Sequence, residues 1–274
     1  MKKQLLIFLT LLSSCVLTAA KIDTLKTYSN VMNKEIPAVV VTPDSYSELK
    51  ALPVVYLLHG YSDSALNGWI NKGKDIDKYA DLYDVILVMP DGGFSSWYFD
   101  SPIDPEIQYE SYIIEELIPL IDEKYATIAS RTGRAITGLS MGGHGALYLS
   151  FRHQNVFAAA GSTSGGVDIR PFPNNWSLIK CLGTYVDYPE NWEKNTIVNM
   201  THLLTPNSLS LIIDCGREDF FYDVNCKLHE KLLYYNIPHE FTTRPGKHDW
   251  NYWSNSIQYQ LLFFHNYFVK NAGE

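Results

Sequence analysis

Positive charge is scarce in this chain, and so are cysteine and long apolar runs. Against 22 Lys and Arg stand 30 Asp and Glu, a net charge of −8. Nucleic acid and acidic membranes both require a basic patch, and the sequence offers none. Four cysteines in 274 residues are too few for a disulfide-built scaffold, and their spacing does not suggest a zinc site. Cys181, Cys215 and Cys226 permit one disulfide without identifying a pair. Cys215 ends an apolar strand and reads as a small buried hydrophobe. No ligand cluster for a catalytic metal stands out, so no metal is expected. There is no internal repeat, low-complexity tract or linker, and one large α/β domain with a sizeable core fits the length.

The one run of apolar residues outside the fold, Leu5 to Leu12, is too short to cross a bilayer. Lys2 and Lys3 precede it and small residues follow, the pattern of a secretory signal. The reading is a signal peptide over residues 1–20, cut after Thr18-Ala19-Ala20, with a catalytic domain over 21–274 in a secreted or periplasmic protein. The alternative cut is Leu12-Ser13-Ser14-Cys15, which resembles a bacterial lipobox and would leave a lipid anchor at Cys15. The apolar Val16-Leu17 after the cysteine favours the ordinary cut.

What the chain has in abundance is a regular alternation of strand and helix patterns. A hairpin over about 22–43 turns near Asn33-Lys34. Strands follow at Pro53–Leu58 and Val85–Met89, both continuous apolar runs, and at Ala135–Gly138, Phe157–Ala160, Leu209–Asp214 and His239–Thr243. Such runs suit strands buried on both faces of a parallel sheet. Helical patterns lie between them, at Ile107–Tyr125, Gly142–His153, Tyr222–Tyr235 and Ser254–Asn271. The alternation predicts an α/β fold with a mostly parallel, doubly wound sheet and right-handed crossovers. Residues 165–206 break it. They are polar and rich in Pro, Asn and Trp, and read as a small helical cap insertion over the strand ends.

Gly138-Leu139-Ser140-Met141-Gly142 matches G-x-S-x-G between a strand and a helix, the nucleophile elbow. A serine on so sharp a turn has a strained backbone, and glycine two residues either side removes Cβ atoms that would collide. A serine hydroxyl needs a base. On this architecture the acid and then the histidine follow on later strand-end loops. Asp219 lies in the loop after the strand ending at Asp214, with Glu218, Asp223 and Asp214 itself as less suitable neighbours. His248 lies in the turn-rich loop before the final helix. For the oxyanion hole the backbone N–H groups of Met141, directly after the serine, and Tyr61, after Leu57-Leu58-His59-Gly60, are the candidates. His144 is expected on the wall of the pocket.

The Leu57–Tyr61 and Met89–Gly93 stretches, the Gly138–Gly143 elbow, Asn67-Gly68-Trp69, Ser95–Tyr98 and the two later loops occur in order. With them the chain resembles the putative-esterase family of α/β-hydrolases, which includes esterase D, tributyrin and feruloyl esterases and the mycolyltransferases. The resemblance covers about residues 30–270. It implies an α/β-hydrolase fold, a triad of Ser140, Asp219 and His248, an oxyanion hole at Tyr61 and Met141, and no cofactor. It also implies a secreted serine carboxylesterase acting on a small-molecule or polysaccharide-linked ester, with feruloyl or acetyl esters of plant polysaccharides preferred. Two alternatives are an acyltransferase of the mycolyltransferase type and a catalytically silent binding module. Aromatic residues are plentiful, with 19 Tyr, 12 Phe and 6 Trp. Trp97, Tyr98 and Trp176 are expected to wall the acyl pocket, because loops at strand ends surround the nucleophile.

Overall fold

The computed structural model describes residues 19–272; residues 1–18, most of the expected signal peptide and including Cys15, lie outside the described residues. A hairpin of β1 (Lys21–Ser29) and β2 (Lys34–Thr42) opens the fold, followed by β3 (Val54–Leu58), α1 (Ile76–Tyr83) and β4 (Ile86–Pro90). Then come α2 (Tyr109–Ser111), α3 (Ile118–Lys124), β5 (Arg134–Gly138), α4 (Met141–Arg152) and β6 (Ala159–Thr163). Three short helices, α5 (Leu178–Leu182), α6 (Pro189–Lys194) and α7 (Ile197–Met200), lie within the polar insertion. The chain closes with β7 (Ser210–Gly216), α8 (Tyr222–Tyr234), β8 (Glu240–Arg244) and α9 (Trp250–Asn271).

Among the described residues, eight strands form one sheet in the order β1-β2-β4-β3-β5-β6-β7-β8. The β1–β2 and β2–β4 pairs are antiparallel and the rest parallel. This is the α/β-hydrolase fold. Its period-2 logic is visible in β3. Val54, Tyr56 and Leu58 join the core under α3, α4 and α8, whereas Val55 and Leu57 join the core under α1 and α9. Burying one such side chain contributes about 1.5–3 kcal/mol, and a one-residue slip in register would exchange the two sets and misfit both cores at once.

The elements depart from the sequence reading at their ends. The helix expected over 107–125 is interrupted by a wider π turn, Tyr112–Leu117. Pro119, at the start of α3, has no N–H for the preceding turn, which is where the ladder changes. The last helix starts at Trp250 rather than Ser254, because Asp249 caps it by accepting the Tyr252 N–H at 3.0 Å.

From β3 the chain passes to β4 on one side, and β5 then takes the other side of β3. Loops after β3 and β5 therefore diverge, and a crevice opens at the carboxyl ends of these two strands. Tyr61 follows one strand and Ser140 the other.

Candidate active site

Ser140 sits between β5 and α4 at φ 56°, ψ −117°, a left-handed conformation that costs a non-glycine residue about 1–3 kcal/mol. The turn is possible because its neighbours lack side chains. A Cβ at Gly142 would stand 2.4 Å from the Leu58 carbonyl oxygen, and one at Gly138 would stand 2.6 Å from the Gly142 backbone. The strain is held by the Ser140 N–H donating to Thr163 O at 3.0 Å and the Gly142 N–H donating to Leu139 O at 2.7 Å. Ser140 precedes the first residue of a 12-residue helix, so free N–H groups and the positive end of the helix dipole lie beside its hydroxyl.

His248 reaches this hydroxyl from the β8–α9 loop, with Nε2 at 2.9 Å from Ser140 Oγ. Its Nδ1 lies 2.8 Å from Asp219 Oδ2. Asp219 is buried, and its other oxygen accepts the Phe221 N–H at 2.8 Å. The loops carrying the acid and the imidazole touch through their backbones: Glu218 N–H donates to Gly246 O at 3.0 Å. Gly216 permits this, since a Cβ there would come within 2.4 Å of that same oxygen. The other carboxylates lie elsewhere. Glu218 and Asp223 face solvent. Asp214 is buried in the core, where its Oδ2 accepts from Ser256, Gln260 and Thr163 at 2.6, 2.7 and 3.1 Å. Burial raises its pKa despite these donors.

The Tyr61 turn is organised by a side chain whose role is not legible from the sequence. His59 is buried, and its Nε2 accepts the Gly92 N–H at 2.8 Å. That bond leaves Nδ1 as the protonated nitrogen, donating to Gly60 O at 2.8 Å. Burial, the largest influence, lowers its pKa and favours this neutral state. In a trans peptide the carbonyl and the next N–H point opposite ways, and no cis bond occurs among the described residues. By holding Gly60 O, His59 directs the Tyr61 N–H away from its ring. No backbone carbonyl among the described residues accepts that N–H. The turn is braced further by Tyr98 OH donating to His59 O (3.1 Å) and Trp69 Nε1–H donating to Leu58 O (3.1 Å).

Tyr61, Ser140, His248 and Trp176 line one cleft, together with Phe220, Trp250, Trp253, Asp63 and Lys72. Trp176 and Phe220 stack at 5.5 Å and 19°, and the Phe220 ring lies 4.2 Å from His248. Trp97 and Tyr98 do not stand in this wall. Both are buried, 1% and 0% exposed. Tyr98 fills the space above Gly92 and Gly145, where a Cβ would come within 2.4 Å of its ring. Trp97 packs edge-on against His144 at 5.4 Å and donates to Trp176 O at 3.3 Å. His144 is not on the wall either. It is fully buried among Trp97, Phe99 and Tyr148, and its Nδ1 lies 3.1 Å from Gly166 O. Phe220, Trp250 and Trp253 were missed, although each lies within five residues of Asp219 or His248 in sequence. Cys181, Cys215 and Cys226 are all free thiols. Among the described residues no His/Cys/Asp/Glu group could hold a metal ion, and no helix is long and apolar enough to cross a membrane.

An α/β-hydrolase with its serine at the strand-to-helix turn is the class that fold and site define. The family model described as "Putative esterase" matches residues 29–264, and the chain belongs to that family. An esterase of Mycobacterium tuberculosis is 33% identical over 141 residues, 48% of this chain and 29% of that protein. The chain thus matches under a third of this relative's length. An acetyl esterase of Caldicellulosiruptor saccharolyticus is 24% identical over 257 residues, covering 84% of this chain and 92% of the relative. A solved ferulic acid esterase superposes with a TM-score of 0.79 at 29% identity, covering 91% of this chain and 99% of its own.

Proposed function

We propose that this protein is a serine carboxylic-ester hydrolase working through an acyl-enzyme on Ser140. The observation that carries the reading is the unbroken relay from Ser140 Oγ to His248 Nε2 (2.9 Å) and from His248 Nδ1 to Asp219 Oδ2 (2.8 Å). In this reading His248 takes the Ser140 proton as Oγ attacks the ester carbonyl, and Asp219 holds the tautomer and stabilises the imidazolium. The negative oxygen of the tetrahedral intermediate is received by the N–H groups of Tyr61 and Met141. As the C–O bond to the alcohol breaks, His248 returns its proton to the leaving oxygen. Water then gives a proton to His248 and attacks the acyl carbon; the acid leaves as Ser140 regains its proton.

The finer reading is an exported enzyme that removes acetyl or feruloyl groups from plant polysaccharides. Three things support it: the basic and apolar pattern of residues 1–20, the names of the acetyl and ferulic acid esterase relatives, and the stacked Trp176 and Phe220 beside His248, which suit a flat acyl group. The test is acid release from acetyl, butyryl and feruloyl esters, with and without an added acceptor alcohol. Acid release that is insensitive to the acceptor supports a hydrolase. Formation of a new ester at the expense of acid identifies an acyltransferase. No turnover of any ester would leave a binding module.

A further inference from the structure

The last strand, β8, ends the sheet on one side and pairs with β7 alone. Its outer backbone groups are identified by where the inner ones go. Arg244 O faces inward and accepts the Arg217 N–H at 2.8 Å. Backbone direction alternates along a strand, so Glu240 and Thr242 also face β7, while Phe241 and Thr243 turn their N–H and C=O groups outward. β7 agrees: Asp214 O faces β6, accepting the Ser164 N–H at 2.8 Å, which leaves Ile213 and Cys215 facing β8. An open edge invites another strand, and proteins guard it with charge, proline or a bulge. The opposite edge, β1, carries Lys21 and Lys26. β8 has no lysine, and Pro238 and Pro245 stand outside Glu240–Arg244. Apolar and aromatic side chains flank it instead. On one face the His229 ring stacks on Phe241 at 4.4 Å, and Leu233, one turn further along α8, is exposed. On the other the Arg244 guanidinium lies 4.0 Å over the Tyr259 ring, and Tyr259 and Leu262 of α9 are exposed.

We propose that the β8 edge docks a second copy of this chain, through antiparallel β8–β8 pairing centred on Thr242. The register is set by the strand itself. Opposed residues of an antiparallel pair exchange both N–H···O bonds only when the backbone groups of both face the partner. Centred on Thr242, Phe241 meets Thr243 of the second copy and Thr243 meets its Phe241, so every outward group within the strand is paired. Centring on Phe241 or Thr243 instead leaves a single such exchange within Glu240–Arg244. The Thr242 register also sets Glu240 opposite Arg244 twice, on the α9 face of the sheet. Glu240 is exposed, and no ion pair among the described residues engages either side chain. Opposite charges directly across such a pair attract. The strand is therefore complementary to its own reversed copy, which is what a two-fold interface requires. The parallel strands of the two copies run in opposite directions, so the two clefts open on opposite sides of the joined sheet.

The experiment is sedimentation equilibrium of the protein over a micromolar concentration series, with Tm measured for each variant. A monomer–dimer equilibrium is expected, and a monomer throughout would overturn the proposal. Thr243→Pro removes an outward N–H and leaves the β7 ladder intact. It should raise the dimer Kd about thirtyfold, the loss of two hydrogen bonds per dimer, with Tm unchanged. Glu240→Arg sets like charges opposite one another and should raise Kd about tenfold at low salt and less at high salt. An unchanged Kd in either variant would overturn the proposal. Because proline also stiffens the strand, a second measurement reads the register without it. Thr242→Cys places two thiols on the two-fold axis, in a pair with Cα atoms about 4.5 Å apart, within reach of a disulfide. Oxidised glutathione should then link two copies through residue 242. The parent, whose Cys181, Cys215 and Cys226 are free, should stay unlinked. No linkage in Thr242→Cys, or linkage through Cys226 instead, would overturn the β8 edge as the interface.

Discussion

Ser140, Asp219 and His248 come from three loops and meet within 2.9 Å. Trp97, Tyr98 and Trp176 also come from strand-end loops and end at different depths, two sealed in the core and one in the cleft. A proton relay tolerates only one geometry. An aromatic ring is satisfied wherever it displaces water, and core and cleft wall reward it alike. Loop position therefore identifies the relay and leaves the depth of a ring undecided.

The sharpest way to break this contrast is to remove the relay and ask whether the fold notices. Ser140→Ala or His248→Ala should lower kcat by about a millionfold, and Asp219→Asn by about ten-thousandfold, with circular dichroism unchanged. Full activity in Asp219→Asn would return the acid role to another carboxylate.

His59 joins the two regions, being a buried core residue that acts on the cleft. His59→Ala frees the Gly60–Tyr61 peptide and should lower kcat by about a hundredfold, the scale of losing one oxyanion donor, with little change in KM. A matching rise in KM would mean that the whole turn had moved.

Trp97→Ala and Trp176→Ala separate the rings by depth. Trp97→Ala should cost about 3–5 kcal/mol of stability, read as a fall in Tm. Trp176→Ala should leave Tm nearer the parent and raise KM for feruloyl esters more than for acetyl esters. Interchanged results would place Trp97 in the wall after all.

The smallest effect comes from His144. Burial pushes its pKa down to about 3, whereas an unfolded histidine titrates near 6.5. Below that pH the unfolded chain takes up a proton that the folded chain refuses. Stability from this residue is therefore complete above about pH 6.5 and drains as the pH falls towards 3, by about 1.4 kcal/mol per pH unit. Denaturant titrations of His144→Phe between pH 6.5 and 4 should show a slope shallower by that amount. Parallel slopes would mean that His144 is already protonated in the fold.

The sheet was legible because β3 and β5 bury both faces and leave continuous apolar runs, and the elbow because Gly138 and Gly142 answer a steric demand that no other residue meets. Asp219 could be preferred to Asp214 because a strand residue points into a core and a loop residue is free to turn. Element ends were less legible: the early start of α9 depends on one Asp249 hydrogen bond. The role of His59 was hidden because it depends on Gly92, a partner 33 positions away. Phe220, Trp250 and Trp253 lie close to Asp219 and His248 in sequence, yet their contact with the cleft follows from the direction of their loops, which composition does not carry.

The proposed chemistry runs through a covalent intermediate at Ser140. Mass spectrometry of the protein quenched during turnover of a slow feruloyl ester, or after reaction with a fluorophosphonate, tests it directly. One acyl or phosphonyl group on the peptide containing Ser140, absent from Ser140→Ala, is the predicted result. A label on another residue, or ester turnover that survives Ser140→Ala, would contradict it.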